Sequence, residues 1–288
     1  MSRAEIFDRN RPLLFSIAYR MTGSVMDAED AVQEAYLRWQ RASEDEVGSP
    51  SAYLSKVVTR LCLDRLRSAT VRREQYVGPW LPEPVLGEQV QEIEGRVELE
   101  DTLSMAFLLL LESLTPVERA VFLLREVFDY EYAEIAALVG KSEANCRQIS
   151  RRARQSVAAR RPRFESSPQE EERLMESFLR ASLAGDMEAL LALFSEDVTL
   201  YSDGGGKTRA ALNPIYGADN VARWLTGILR NVPPGFAVRQ TRVNGRPGLV
   251  GYFEDGSPQR FPRPALRRRG GGGTPGGTRA LQAHGTRP

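Results

Sequence analysis

Histidine occurs once in 288 residues and cysteine twice. The single histidine, His284, lies in a glycine- and arginine-rich tail and is given no role. Cys62 and Cys146 fall on inward positions of predicted helices in different domains. No disulfide is expected of them, which fits a reducing, cytoplasmic setting. Long apolar runs are also missing. The longest, Met105–Leu111, has the length of a core helix, and the N-terminus MSRAEIFDRN is polar, so neither a membrane span nor a signal peptide is expected. Net charge is nearly absent too: 39 basic residues against 38 acidic ones give +1. Basic stretches must therefore be offset elsewhere, and the segregation says more than the total. No metal and no cofactor is expected.

What is present is helical patterning. Pro12 opens a predicted helix with Leu14, Ile17, Ala18 and Met21 on one side, stopped near Gly23. Asp27 caps a second, with Asp30 three residues on as a variant capping box and Val32, Ala35, Tyr36 and Trp39 as its apolar stripe. Asp30, Gln33, Glu34 and Leu37 share the same spacing on another side, either a solvated face or a docking strip for a basic protein surface. A third helix after Ser49-Pro50 turns Leu54, Val57, Val58, Leu61 and Cys62 inward. From 49 to 73 the cations are Lys56, Arg60, Arg65, Arg67, Arg72 and Arg73, against Asp64 alone.

Residues 76–101 change character. Three prolines and two glycines between Gly78 and Gly87 exclude regular structure there. The apolar Trp80 and Leu81 suggest that this linker docks on something. A buried helix over Leu103–Leu114 follows. Thr115-Pro116-Val117-Glu118 then supplies an N-cap, a first-turn proline and a capping-box glutamate.

Tyr130–Arg161 reads as two short helices around the break Val139-Gly140-Lys141, with Ser142 as N-cap of the second. Cys146, Ile149, Ala153 and Val157 form its inward stripe. Asn145, Arg147, Gln148, Arg151, Arg152 and Arg154 remain outside, the residue types that bond base edges and phosphates from a recognition helix. From Lys141 to Arg163 eight basic residues face one acid, Glu143. A solvated basic helix is the plain alternative; turn, cap, small inward residues and one-sided charge together favour DNA binding.

DAEDAVQEAYLRW (27–39), AYLSKVVTRLCLDRLRS (52–68) and the region 114–154 together resemble the extracytoplasmic-function (group 4) sigma factors of bacterial RNA polymerase. WLPEPV (80–85) and DGGGK (203–207) are similar to signatures of the sigma-J-like subgroup, which carries a SnoaL-like domain after region 4. The resemblance implies a multidomain chain: a region 2 bundle (1–75), the linker (76–101), a region 4 helix-turn-helix (102–164) and an α+β SnoaL-like cone (169–255). It implies core RNA polymerase, through its beta-prime clamp and beta flap, and promoter DNA as partners. Asp30, Gln33, Glu34 and Leu37 become polymerase contacts, and Lys56, Arg60, Arg65 and Arg67 contacts to the −10 strand. Ser142, Asn145, Arg147, Gln148, Arg151 and Arg152 become −35 contacts. Trp80, Leu81, Pro82, Glu83, Pro84 and Val85, with Asp203, Gly204, Gly205, Gly206 and Lys207, become regulatory, the cone acting in place of a separate anti-sigma factor. No enzymatic activity is expected.

Within 169–255 the patterning predicts helices over Glu170–Ala184, Met187–Phe194 and Gly217–Arg230, and strands over Val198–Ser202, Phe236–Val243 and Gly248–Phe253. In the first helix Leu174, Phe178, Leu179 and Leu183 share a side. GGGKT (204–208) lacks a phosphate loop's first glycine, Tyr201 standing there. A cyclase or isomerase reading would use Asp197, Tyr201, Asp203 and Asp219, and a ligand-responsive DNA-binding regulator acting without polymerase is the other alternative. Residues 256–288 hold eight glycines, five prolines, seven arginines and no acid. They are expected to be disordered, leaving the cone incomplete through a shifted reading frame or a truncation.

Overall fold

The computed structural model describes residues 2–43, 47–73, 81–86, 103–160, 167–203, 210–232, 234–252, 258–259 and 265–268. The expectations for Trp80, for Gly204–Lys207 and for most of 256–288 lie outside them. Contacts divide the chain into two compact units. Residues 1–75, 88–103 and 110–159 make a helical unit, and residues 76–87, 104–109 and 160–288 an α+β unit.

In the helical unit α1 spans Arg3–Thr22, α2 Val25–Arg41 and α3 Pro50–Arg73. Pro12 does not open α1 but sits inside it. The helix begins earlier because Ser2 and Glu5 form a capping box, with Glu5 N–H donating to Ser2 Oγ at 3.2 Å and Ser2 N–H to Glu5 Oε2 at 2.9 Å. The first turn is also pinned by Trp39, whose indole N–H donates to the Arg3 carbonyl at 2.9 Å. That packing outweighs the loss of one helical hydrogen bond at a proline. Leu14, Ile17, Ala18 and Met21 are buried, and Gly23 ends the helix at φ 69°. The cap of α2 is Ser24 rather than Asp27; Asp27 lies in the first turn and donates its N–H to Ser24 Oγ.

The short helix α4 (Met105–Leu111) is followed by α5 (Pro116–Glu126), which starts on the Thr115/Glu118 capping box. Then come α6 (Tyr132–Val139) and α7 (Glu143–Ala158). Val121, Leu124, Ile135, Leu138, Cys146 and Ile149 form one core across these last three helices. The break between α6 and α7 is Gly140 at φ 68°, the left-handed conformation glycine adopts without steric cost.

From residue 160 onward the α+β unit holds α8 (Pro168–Ala184) and α9 (Met187–Leu193), capped by Ser167 and Asp186. Pro168 takes the first helical position, two residues before the expected start. Met175, Phe178 and Ala181 carry the inward face, while Leu183 is exposed, so the inward stripe is rotated from the expected one. β1 (Val198–Tyr201), β2 (Ile215–Tyr216), α10 (Ala218–Arg230), β3 (Ala237–Val243), β4 (Arg246–Tyr252), β5 (Pro258–Gln259) and β6 (Ala265–Arg268) complete it. The strands form two antiparallel sheets of three, in the orders β2-β1-β6 and β3-β4-β5. Met175, Phe178, Leu190, Phe194, Val198, Leu200, Val221 and Leu225 fill the core between helices and β1.

β5 and β6 are the described residues of 256–288, and at those residues the expectation of disorder is not met. That expectation rests on a shortage of apolar side chains, but strand pairing is made by the backbone. A buried strand such as β1 must satisfy its N–H and C=O groups on both edges. Val198–Tyr201 does so by pairing with Ile215–Tyr216 on one side and Ala265–Arg268 on the other.

Candidate nucleic-acid interface and linker site

Helix α7 has a dry side and a wet side. Cys146, Ile149, Ala153 and Val157 are buried, whereas Asn145, Arg147, Gln148, Arg151, Arg152 and Arg154 are exposed. Ser142 sits at the N-cap and accepts the Asn145 N–H at 3.3 Å, so its hydroxyl shapes the helix start. The outward residues differ in what holds them. Arg147 pairs with Glu143 and lies 5.0 Å over the Tyr132 ring. Arg154 reaches Glu126 at 3.5 Å. Asn145, Gln148, Arg151 and Arg152 make the exposed polar face between them, a donor-rich surface on a rigid two-helix core.

The strips expected on α2 and α3 meet each other. Asp30, Gln33 and Leu37 are exposed and Glu34 half-buried, Glu34 pairing with Arg38 at 2.8 Å. Arg65 reaches Asp27 at 2.5 Å and Asp30 at 3.2 Å. Burial alone would lower the Arg65 guanidinium, but its hydrogen bonds to Asp30 and Asp27 outweigh that and hold it above the ordinary arginine value. The structure thus ties a residue expected to meet DNA to one expected to meet polymerase. Arg60 and Arg67 stay exposed, Arg67 with Asp64 at 3.2 Å. Lys56 lines a cleft of about 260 Å³ with Tyr53, Tyr130 and Glu134. Beside it the Tyr130 hydroxyl donates to Ser55 Oγ at 2.8 Å. Burial raises the Tyr130 hydroxyl above its usual range, so it remains a donor at neutral pH.

Linker residues 81–86 belong to the α+β unit. Leu81, Pro82 and Val85 are buried; Glu83 and Pro84 are half-buried. Leu81 N–H donates to the Asp203 carboxylate at 3.3 Å, and Val85 N–H to Asn244 Oδ1 at 2.9 Å. Asp203 therefore meets the linker at Leu81. Of the residues in the enzyme reading, Asp203 is buried and Asp197 and Tyr201 are half-buried, but Asp219 lies exposed at the start of α10 with Arg223 at 3.9 Å. Among the described residues no group of three or more His, Cys, Asp or Glu side chains could hold a metal ion, and no helix is long and apolar enough to cross a membrane.

Sequence reading missed two sites. Asn244 is one, although the Asn-Gly pair between two alternating strands is a strong turn signal. Arg119 is the other. It is 3% exposed, pairs with Glu112 at 2.8 Å and donates to the Met21 carbonyl at 2.7 Å. No local pattern marks an arginine on an apolar helix face as a buried strut.

Residues 6–72 match the Sigma-70 region 2 family and residues 104–157 the Sigma-70 region 4 family. The chain is 39% identical over 259 residues to the ECF RNA polymerase sigma factor SigJ of Mycobacterium tuberculosis, covering 85% of this chain and 82% of that protein. It is 31% identical over 273 residues to SigG of the same organism, covering 84% and 71%. The crystal structure of M. tuberculosis SigJ superposes with a TM-score of 0.70 at 35% identity, covering 86% of this chain and 83% of that one.

Proposed function

The chain belongs to the extracytoplasmic-function RNA polymerase sigma factors, and from that membership we propose how its parts divide the work of promoter recognition and transcription initiation. Region 2 supplies the hold on core polymerase: Asp30, Gln33, Glu34 and Leu37 dock on the beta-prime clamp, and region 4 meets the beta flap. Lys56, Arg60 and Arg67 track the −10 strand, where cations follow a single-stranded backbone. Arg65 acts there as the strut that fixes α2 against α3. Helix α7 enters the −35 major groove with Asn145, Gln148, Arg151 and Arg152 forward. Ser142 caps that helix, and Arg147 flanks it.

The observation that carries this reading is the exposed polar and basic face of α7 on the helix-turn-helix core, inside the segment that matches region 4. A carboxylate-rich strip on α2 in the same chain agrees with a factor that needs polymerase. Chemistry belongs to the polymerase, and the chain acts where polymerase does, in the cytoplasm. The α+β unit modulates the factor through the linker segment 80–85 and the 203–207 loop, with no separate anti-sigma protein required.

In vitro transcription with purified core polymerase tests the reading. Promoter-specific RNA made only when this chain is added is the expected outcome. Specific duplex binding without core, and no stimulated transcript with it, would replace the reading by a polymerase-independent regulator.

A further inference from the structure

The turn between β3 and β4 consists of Asn244 at φ 53° and Gly245 at φ 76°. Two left-handed residues in sequence form a type I′ hairpin loop, whose tip ordinarily faces water. Asn244 instead has no exposed surface (0%). The linker covers it. Val85 N–H donates to Asn244 Oδ1 at 2.9 Å and the Asn244 N–H donates back to the Val85 carbonyl at 2.8 Å. Leu86 pairs antiparallel with Val243 beside them. Four residues upstream, Leu81 N–H is held by Asp203. The Leu81 and Val85 side chains are 2% and 1% exposed, so each backbone hook comes with an apolar plug.

Both halves of this contact are pre-organised. Pro82 and Pro84 fix their φ angles, which keeps the segment between the Leu81 and Val85 donors extended. The receiving turn is braced by Arg242, which donates to the Gly245 carbonyl at 3.0 Å, and by Arg246, paired with Glu171 of α8 at 2.8 Å. Gly248 leaves the space that Val243 fills: a Cβ there would stand 2.5 Å from Val243 Cγ2.

We propose that Asn244 is a positioning residue for promoter recognition, clamping the linker and so setting which −35 to −10 spacings the two DNA-reading regions can serve. The proposal rests on the sigma-factor reading above. Spacing tolerance of two tethered modules follows the free length between them. Unclamped, a stretch of the length of 74–102 reaches at most about 105 Å. Clamped at 81–86, the chain from Arg73 reaches the α+β unit in at most about 28 Å, and residues 161–166 join region 4 to the same unit in at most about 25 Å. The α+β unit then becomes the spacer, with two short leads in place of one long one.

The test uses the full chain, core polymerase and promoters whose spacer varies in single base pairs. Asn244→Gly keeps the positive φ and removes the acceptor; Asn244→Asp keeps an acceptor oxygen. Wild type and Asn244→Asp are expected to show one narrow optimum. Asn244→Gly is expected to raise transcription two pairs off the optimum about fivefold relative to the optimum. Hydrogen exchange at the Val85 amide should quicken about tenfold in Asn244→Gly alone. An unchanged spacer profile in Asn244→Gly overturns the proposal, as does unchanged Val85 exchange. Wild type that is silent at every spacing would instead overturn the sigma-factor reading, and this proposal with it.

Discussion

Arg119 and Cys62 show what single buried groups do in the helical unit. Arg119 and Glu112 are 3% and 7% exposed and 2.8 Å apart. Two charges removed from water gain little as a pair, but either one left alone is costly. Arg119→Met should therefore destabilise the chain by about 3–5 kcal/mol, and Glu112→Gln in the same chain should recover part of that, read from urea unfolding midpoints. Cys62 is buried on the inner side of α3, and desolvation pushes its thiol from 9.0 up to about 12, the nearby Arg65 opposing and Asp27 adding to the shift. Above pH 9 the unfolded thiol ionises while the folded one keeps its proton. The native state then binds more protons, so stability present below pH 9 is lost as pH rises from about 9 to about 12, by up to ~1.4 kcal/mol per pH unit. Cys62→Ala should flatten that part of the stability curve. In native protein at pH 8 the thiol should resist iodoacetamide, and it should react once urea is added.

At the scale of the element, α7 divides its residues by side, and the division predicts a measurable slope. If Arg151 and Arg152 both lie on phosphates, each releases about one counterion on binding. Arg151→Ala with Arg152→Ala should then lower the salt dependence of −35 duplex binding by about two logarithmic units per decade, with little loss of sequence discrimination. Gln148→Ala should do the reverse, relaxing discrimination by about 1–3 kcal/mol at one base pair with the slope intact. Fluorescence anisotropy across a salt series on matched and mismatched duplexes checks both. Elements of this kind were legible in the sequence because their signals are local: the Thr115/Glu118 capping box, the Gly140 break and the Cys146–Val157 stripe each rest on residues a few positions apart. The start of α1 was not, because Pro12 is a strong local signal overruled by distant packing of Arg3 on Trp39. β6 was missed for the related reason that its partner β1 lies more than sixty residues away and supplies only backbone. The linker site was half legible. Leu81 in a proline-rich loop announced that something would be covered, but the acceptors of Leu81 and Val85, Asp203 and Asn244, stand 122 and 159 positions further on.

For the molecule as a whole, the helical unit sets the segments matching regions 2 and 4 against each other. Arg119 of α5 donates to the last turn of α1 at Met21, Arg20 of α1 lies 5.7 Å over the Phe128 ring, and Tyr130 bonds Ser55 of α3. Packed helices have axes about 8–10 Å apart. Elements named −35 and −10 are about 25 base pairs apart, or ~85 Å along the duplex at 3.4 Å per pair. One chain cannot hold both elements and keep these contacts, so the contacts must open on the way to the promoter complex. Their strength then sets the population ready to bind, and weakening them should speed binding by the same factor. Tyr130→Phe removes one hydrogen bond of about 1 kcal/mol without disturbing the apolar contacts of the ring, which should raise the open population about fivefold. Stopped-flow association of the polymerase holoenzyme with a promoter bearing both elements should quicken by that amount, while binding of isolated −35 duplex should stay unchanged. An unaltered rate on the two-element promoter, with Tyr130→Phe folded as wild type by circular dichroism, would mean that core polymerase has already parted the two regions before DNA arrives.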